Sequence, residues 1–166
     1  MTYRQIVVPL DCSTWAKAAI PQAAQIARKH HSELILLHVY QSPVVEYADQ
    51  IALAGMGRIA EQSRAYIEGY LVSLRNQLRQ EGVNARYVIL EGRSPADAIC
   101  DFVDAENIDL VVMSTHGRTG LSRMLFGSVA QKVMQNVRAR VILIRPDEQL
   151  ENVQMIDRAQ EAMPGR

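Results

Sequence analysis

Two short stretches carry the residue types and spacing of a ligand site. The first is Ser114-Thr115-His116-Gly117, followed by nine residues, 118–126, and then the pair Gly127-Ser128. Small and glycine residues let a backbone approach a ligand closely. A helix opening at Ser128 would offer its first amides, which have no intrahelical acceptor, to an anion. Arg118 and Arg123 add positive charge to the same loop, either as phosphate partners or as solvated charges. The chemistry this predicts is phosphate binding. The second stretch is Asp11-Cys12-Ser13-Thr14. Asp11 stands directly after an apolar run, where its carboxylate either holds a base edge or a metal, or serves as a plain helix N-cap.

The remaining polar candidates are weaker. His116 would touch phosphate or act as an acid–base group, but its loop supplies no matched nucleophile or second carboxylate, so catalysis is the lesser reading. His38 lies inside an apolar run and reads as a hydrogen-bonded core residue, whereas His30 and His31 form no metal spacing and read as surface. Cys12 and Cys100 show no CxxC spacing, which predicts free thiols in a reduced, cytoplasmic chain. Cys12 also lies near a helix start, a setting that favours oxidation.

These residues need a scaffold, and the chain is long enough for one. Its 166 residues predict a single domain with a real core. The formal net charge of zero argues against a general nucleic-acid binder. No apolar run is long enough to span a bilayer, and the N-terminus lacks the shape of a signal peptide.

Five short apolar runs predict strands: 6–10, 34–39, 85–90, 109–113 and 141–144. Pro9, unable to donate to a ladder, belongs at the C-terminal end of the first. The third mixes polar with apolar residues and predicts an edge. Between the strands lie helical patterns. The first, rich in alanine, contains Pro21 too deep for a first turn, so a kink or a broken hydrogen bond is expected there. Its last turn, Arg28-Lys29-His30-His31, is basic and complements the helix dipole. Residues 40–57 read as a long loop with at most one helical turn. Residues 58–81 read as a helix with Ile59, Tyr66, Ile67, Tyr70, Leu71, Leu74 and Leu78 on its core face, stopped by Gly82. Ser94 and Pro95 form an N-cap and first-turn proline, and the helix they open should bury Ile99 with Phe102 or Val103. The helix from Ser128 should bury Val129, Val133, Met134 and Val137. Residues 147–166 are polar and read as a loosely held tail. Alternating strands and helices imply a doubly wound α/β fold: a parallel sheet with helices on both faces and a ligand crevice beyond the strands' C-terminal ends.

The sequence resembles the universal stress protein family. The resemblance is carried by 6–11, 36–39, Gly92-Arg93-Ser94-Pro95, 109–120, Gly127-Ser128-Val129 and 141–145, in the family's order across residues 3–146. It implies strand order 3-2-1-4-5 and, in many members, binding of ATP or AMP through a G-x-x-G, nine residues, G-[ST] motif. Carried over residue by residue, Asp11 and Val39 flank the adenine and Met113 lines its edge, with Pro9 and Leu10 in the same binding site. Ser114, His116, Gly117, Arg118, Gly127, Ser128 and Val129 surround the ribose and phosphates. Two departures stand out: Ser114 replaces the motif's first glycine, and Asp11-Cys12-Ser13 replaces the common Asp-Gly-Ser. A serine Cβ restricts backbone angles that glycine permits.

The expected function is a cytoplasmic stress-response sensor or regulator that retains ATP or AMP, with Mg²⁺ as a possible companion of the phosphates and with little or no hydrolysis. GxxxxGK[ST] is absent, and the sequence names no general base or acidic pair beside the cradle. The alternative is a scaffold of the same fold that takes no nucleotide. An adenylyl-transferring enzyme would want SGGxDS after the first strand, and a receiver domain an acidic cluster with a late lysine; neither pattern is present. The apolar run 141–145 is a candidate sheet edge, and by resemblance the strand through which two copies pair into a homodimer.

Overall fold

A computed structural model describes residues 2–41, 50–92, 94–115 and 126–146, the stretch 50–60 by its backbone alone. The chain runs β1 (Gln5–Pro9), α1 (Thr14–Lys17), α2 (Ile20–His30), β2 (Glu33–Tyr40), α3 (Gln50–Gln80), β3 (Ala85–Glu91), α4 (Pro95–Ala105), β4 (Leu110–Ser114), α5 (Ser128–Asn136) and β5 (Arg140–Ile144). All neighbouring strands are parallel, in the order β3-β2-β1-β4-β5. The winding therefore starts at β1, runs outward to β3, and returns through α4 to β4 on the other side of β1. The β1/β4 junction is the switch point, where a doubly wound sheet opens its ligand crevice.

The strands' apolar runs build two cores by simple alternation. Ile6, Val8, Leu34, Leu36, Leu110 and Val112 face one layer, with alanines of α2 and Ile67, Leu71 and Leu78 of α3. Val7, Ile35, Leu37, Val111 and Met113 face the opposite layer, with Ile99 and Val103 of α4 and Ala130 and Val133 of α5. Asp109 aligns the two central strands at their starts: its Oδ2 accepts the amides of Arg4 at 2.7 Å and Gln5 at 3.0 Å.

Several expectations hold in detail. Pro9 ends β1. Ser94 caps α4 by accepting the amide of Asp97, with Pro95 in the first turn. Gly82 stops α3 at φ +79°, an angle open to glycine and strained for other residues. Arg28, Lys29 and His30 lie in the last turn of α2. At Pro21 the helix does not merely kink. It divides into α1 and α2, and the proline takes a first-turn position of α2, where its missing N–H costs nothing.

Other expectations are corrected. Residues 50–57 are helical, so α3 begins eight residues earlier than Arg58 and the loop reading of 40–57 fails over that part. Ala52, Leu53, Ala54 and Met56 are strong helix formers. They offset the roughly 1 kcal/mol that each of Gly55 and Gly57 costs in a helix interior. Residues 42–49 lie outside the described residues. Tyr66 is 69% exposed rather than buried. It stands one residue, about 100° of helix rotation, from the buried line through Ile67 and Leu71. Met134 is exposed next to buried Val133 for the same reason, and Ala130 fills the contact assigned to it. The fourth strand extends to Ser114. The tail, 147–166, lies outside the described residues.

Candidate functional site

Beyond the C-terminal ends of β1, β2 and β4 the structure opens into a cleft of about 510 Å³. Pro9, Leu10 and Asp11 come from the end of β1, Leu37 to Gln41 from β2, Met113 to Thr115 from β4, and Gly127 to Ala130 from the start of α5. Ala16 of α1, Ser63 and Ile67 of α3, and Pro95 and Ile99 of α4 complete the walls.

The β1–α1 turn is held by its own side chains. Asp11 Oδ1 accepts the amide of Ser13 at 3.0 Å and also its hydroxyl hydrogen. Ser13 in turn caps α1, its Oγ accepting the amide of Ala16 at 3.2 Å. The N-cap role considered for Asp11 thus belongs to Ser13, and Asp11 sits on the cleft lip one step upstream. Between them Cys12 takes a left-handed conformation, φ +65°. This is the position where the resemblance expects glycine, and the angle supplies the physical reason.

His38 is buried and hydrogen-bonded, as its place in an apolar run predicts, yet it also lines the cleft. Its Nδ1 lies 2.8 Å from the carbonyl oxygen of Leu10 and 3.8 Å from Cys12 Sγ. A carbonyl only accepts, so Nδ1 carries the hydrogen.

On the β4–α5 side, two backbone bonds join the ends. The amide of Thr115 donates to Ile144 O at 2.9 Å, and the amide of Gly127 donates to Thr115 O at 2.7 Å. These bonds fix both ends of the segment 116–125. A Cβ on Gly127 would stand 3.2 Å from Thr115 O, so a larger residue there needs that carbonyl to give by a few tenths of an ångström. Gly127 is the N-cap of α5 and makes no side-chain cap bond, in contrast to Ser13 on α1 and Ser94 on α4. The first amides of α5 are consequently uncapped by a side chain where the helix meets the cleft. Ser114 stays in extended strand, outside the positive-φ residues, so its Cβ creates no backbone conflict. Ser114 and Thr115 are both buried polar residues that line the cleft.

Val39, Met113 and Ile99 meet in the core layer of α4 and α5 and give the cleft an apolar wall. Such a wall suits a flat ring, and the polarisable methionine sulfur favours aromatic contact.

Of the residues expected at the site, Pro9, Leu10, Asp11, Val39, Met113, Ser114, Gly127, Ser128 and Val129 are brought together around this one cleft. His116, Gly117 and Arg118, with Arg123, lie outside the described residues. Sequence reasoning missed Thr115 as a site residue, and the contributions of Tyr40, Gln41, Ser63 and Ile67. Thr115 contributes backbone bonds, which leave no side-chain signal, and Ser63 and Ile67 reach the cleft only because α3 folds back over β2 and β3. Among the described residues no group of three or more His, Cys, Asp or Glu side chains could hold a metal. None of the described helices is long and apolar enough to cross a membrane.

A parallel sheet in this order, with its cleft at the switch point between a carboxylate turn and an uncapped helix start, defines a doubly wound α/β protein. The family model of the universal stress protein family matches residues 2–145, and the chain belongs to that family. A universal stress protein of Methanocaldococcus jannaschii is 32% identical over 146 residues, covering 86% of this chain and 82% of its own. Universal stress protein UspA from Lactobacillus plantarum superposes with a TM-score of 0.76 at 24% identity, covering 87% of this chain and 99% of that one. The universal stress protein from Archaeoglobus fulgidus in complex with dAMP superposes with a TM-score of 0.62 at 25% identity, covering 87% and 99%.

Proposed function

We propose that this chain is a cytoplasmic stress-response regulator that binds ATP or AMP in the switch-point cleft and retains it with little or no hydrolysis. The observation that carries the reading is the uncapped start of α5 facing the cleft opposite Asp11, with an apolar wall between them. Adenine fits between Val39 and Met113, its polar edge toward Asp11 and the backbone of Pro9 and Leu10. The ribose meets Ser114, and the phosphates meet the amides of Gly127's successors, Ser128 and Val129. In this reading His116, Gly117 and Arg118 belong to the phosphate site, and Mg²⁺ accompanies the phosphates. The dAMP held by the Archaeoglobus fulgidus relative supports an adenine nucleotide.

The folded domain spans 1–146. Two copies pair along β5, an edge strand whose Val141, Ile142, Leu143 and Ile144 are only half-buried in the single chain. Sedimentation at micromolar concentration tests that pairing, and a monomer would refute it.

The nucleotide reading is tested by denaturing purified protein, identifying any released nucleotide, and titrating ATP into the emptied chain. Co-purified ATP or AMP, or micromolar rebinding, supports it. An empty protein that ignores millimolar ATP establishes the scaffold reading instead. ATP turnover at typical enzyme rates would overturn the retention claim.

A further inference from the structure

The end of β1 is tied to β2. β1 pairs with β4 through Ile6–Leu110 and Val7–Val111, whereas its pairing with β2 runs on to Pro9–Leu37. Leu10, the next residue, is held to β2 by both of its backbone polar groups. Its amide donates to Leu37 O at 2.8 Å, and its carbonyl oxygen accepts from His38 Nδ1 at 2.8 Å. Cys12 Sγ, 3.8 Å from the same ring nitrogen, is a much longer contact. His38 reaches Leu10 by strand alternation, following Leu34 and Leu36 on the face of β2 that packs with Leu10. At 4% exposed the ring makes this bond away from water, where a hydrogen bond is stronger and its loss costs more.

The Leu10 carbonyl shares a rigid plane with the amide of Asp11. Fixing the one sets the rotation of the other, and with it the direction in which Asp11 leaves the strand. From there the turn is held link by link: Asp11 Oδ1 accepts from Ser13, and Ser13 caps α1. Leu10, Asp11 and His38 all line the cleft.

We propose that His38 is a positioning residue for the base-binding end of the cleft: its Nδ1–H holds the Leu10–Asp11 peptide and so places Asp11 for the ligand. The inference rests on the nucleotide reading above. The phosphates of that reading belong to the start of α5, across the cleft. Removing the ring N–H should therefore loosen the grip on the base far more than the grip on the phosphates.

The test titrates ATP and inorganic tripolyphosphate, separately, into full-length wild type, His38→Leu and His38→Asn. Leucine fills similar space without a donor, whereas asparagine carries an amide nitrogen at the place of Nδ1. His38→Leu should raise the ATP Kd about tenfold and the tripolyphosphate Kd less than about twofold, and His38→Asn should bind ATP within about threefold of wild type. A merely structural role would weaken both ligands alike. That result, an unchanged ATP Kd in His38→Leu, or an asparagine variant as weak as the leucine one overturns the inference. Where a thermal melt shows that His38→Leu does not fold, the wild-type ring decides by nitrogen-15 NMR. A protonated Nδ1 whose resonance moves with ATP is expected; an unprotonated Nδ1, or one indifferent to ATP, overturns the inference. A wild type that ignores ATP fails the nucleotide reading and takes this inference with it. A wild type that binds ATP while His38→Leu treats both ligands alike sinks the inference alone.

Discussion

The two turns that meet at the switch point occupy equivalent places, each following a central strand and opening a helix, yet they solve the helix-start problem oppositely. After β1 the polar groups satisfy one another: Asp11 accepts from Ser13, and Ser13 caps a helix of four residues. After β4 backbone bonds through Thr115 and Gly127 join the ends, and among the described residues no side chain caps α5. A helix start left uncapped at a cleft has its donors in reserve for something else. Under the proposed function, the anionic end of the ligand belongs at α5 and its neutral, hydrogen-bonding end at Asp11.

The sharpest way to break this contrast is Ser128→Pro. Proline suits the first helical position, and Gly127 already has the extended ψ of 154° that precedes a proline comfortably. The fold should survive with an unchanged Tm while one amide of the anion site is deleted. Bonds to charged groups are worth about 1.5–3 kcal/mol, so ATP affinity should fall roughly tenfold to a hundredfold by calorimetric titration. Asp11→Ala comes next. It should weaken ATP about tenfold and, by freeing the amide and hydroxyl of Ser13, cost about 1 kcal/mol of stability, a Tm drop of about 2–4 °C by calorimetry. Gly82→Ala separates stability from binding, because Gly82 sits at φ +79° with open space around its would-be Cβ. Its penalty is conformational only, roughly 1 kcal/mol, and should lower Tm by about 2–4 °C while leaving ATP affinity untouched.

The smallest effect belongs to the α4–α5 tether, where Lys132 Nζ lies 2.6 Å from Asp97 Oδ1. The lysine contact first, then the Ser94 hydroxyl, hold the Asp97 carboxyl below its usual range. A carboxyl whose folded value is lowered contributes stability above its unfolded value and loses it as pH falls through the folded one. Asp97 is exposed, so Asp97→Asn should leave Tm unchanged at pH 7, and any small deficit should vanish as pH falls through the lowered folded value.

How much of this was legible in the sequence varies with the range of the signal. The strands were readable because β1, β2 and β4 are apolar on both faces, and Ser94-Pro95 and Gly82 mark helix ends through chemistry confined to one or two residues. The α3 start was hidden because Gly55 and Gly57 mimic a loop within a segment that a long helix carries. Tyr66 and Met134 were misplaced because periodicity defines a buried stripe only to within one residue's rotation. At the site, Asp11 and Gly127-Ser128 announced themselves by type and spacing. Thr115 did not, because main-chain bonds such as those to Ile144 and Gly127 leave no mark in the sequence, and the left-handed Cys12 shows only in the backbone.

The most direct test follows backbone amide resonances of the labelled protein during an ATP titration. The account predicts that the amides of Asp11 and Val39 shift together with those of Ser128 and Val129, all fitting one micromolar Kd. Shifts confined to other surfaces, or none at the start of α5 at millimolar ATP, would contradict it.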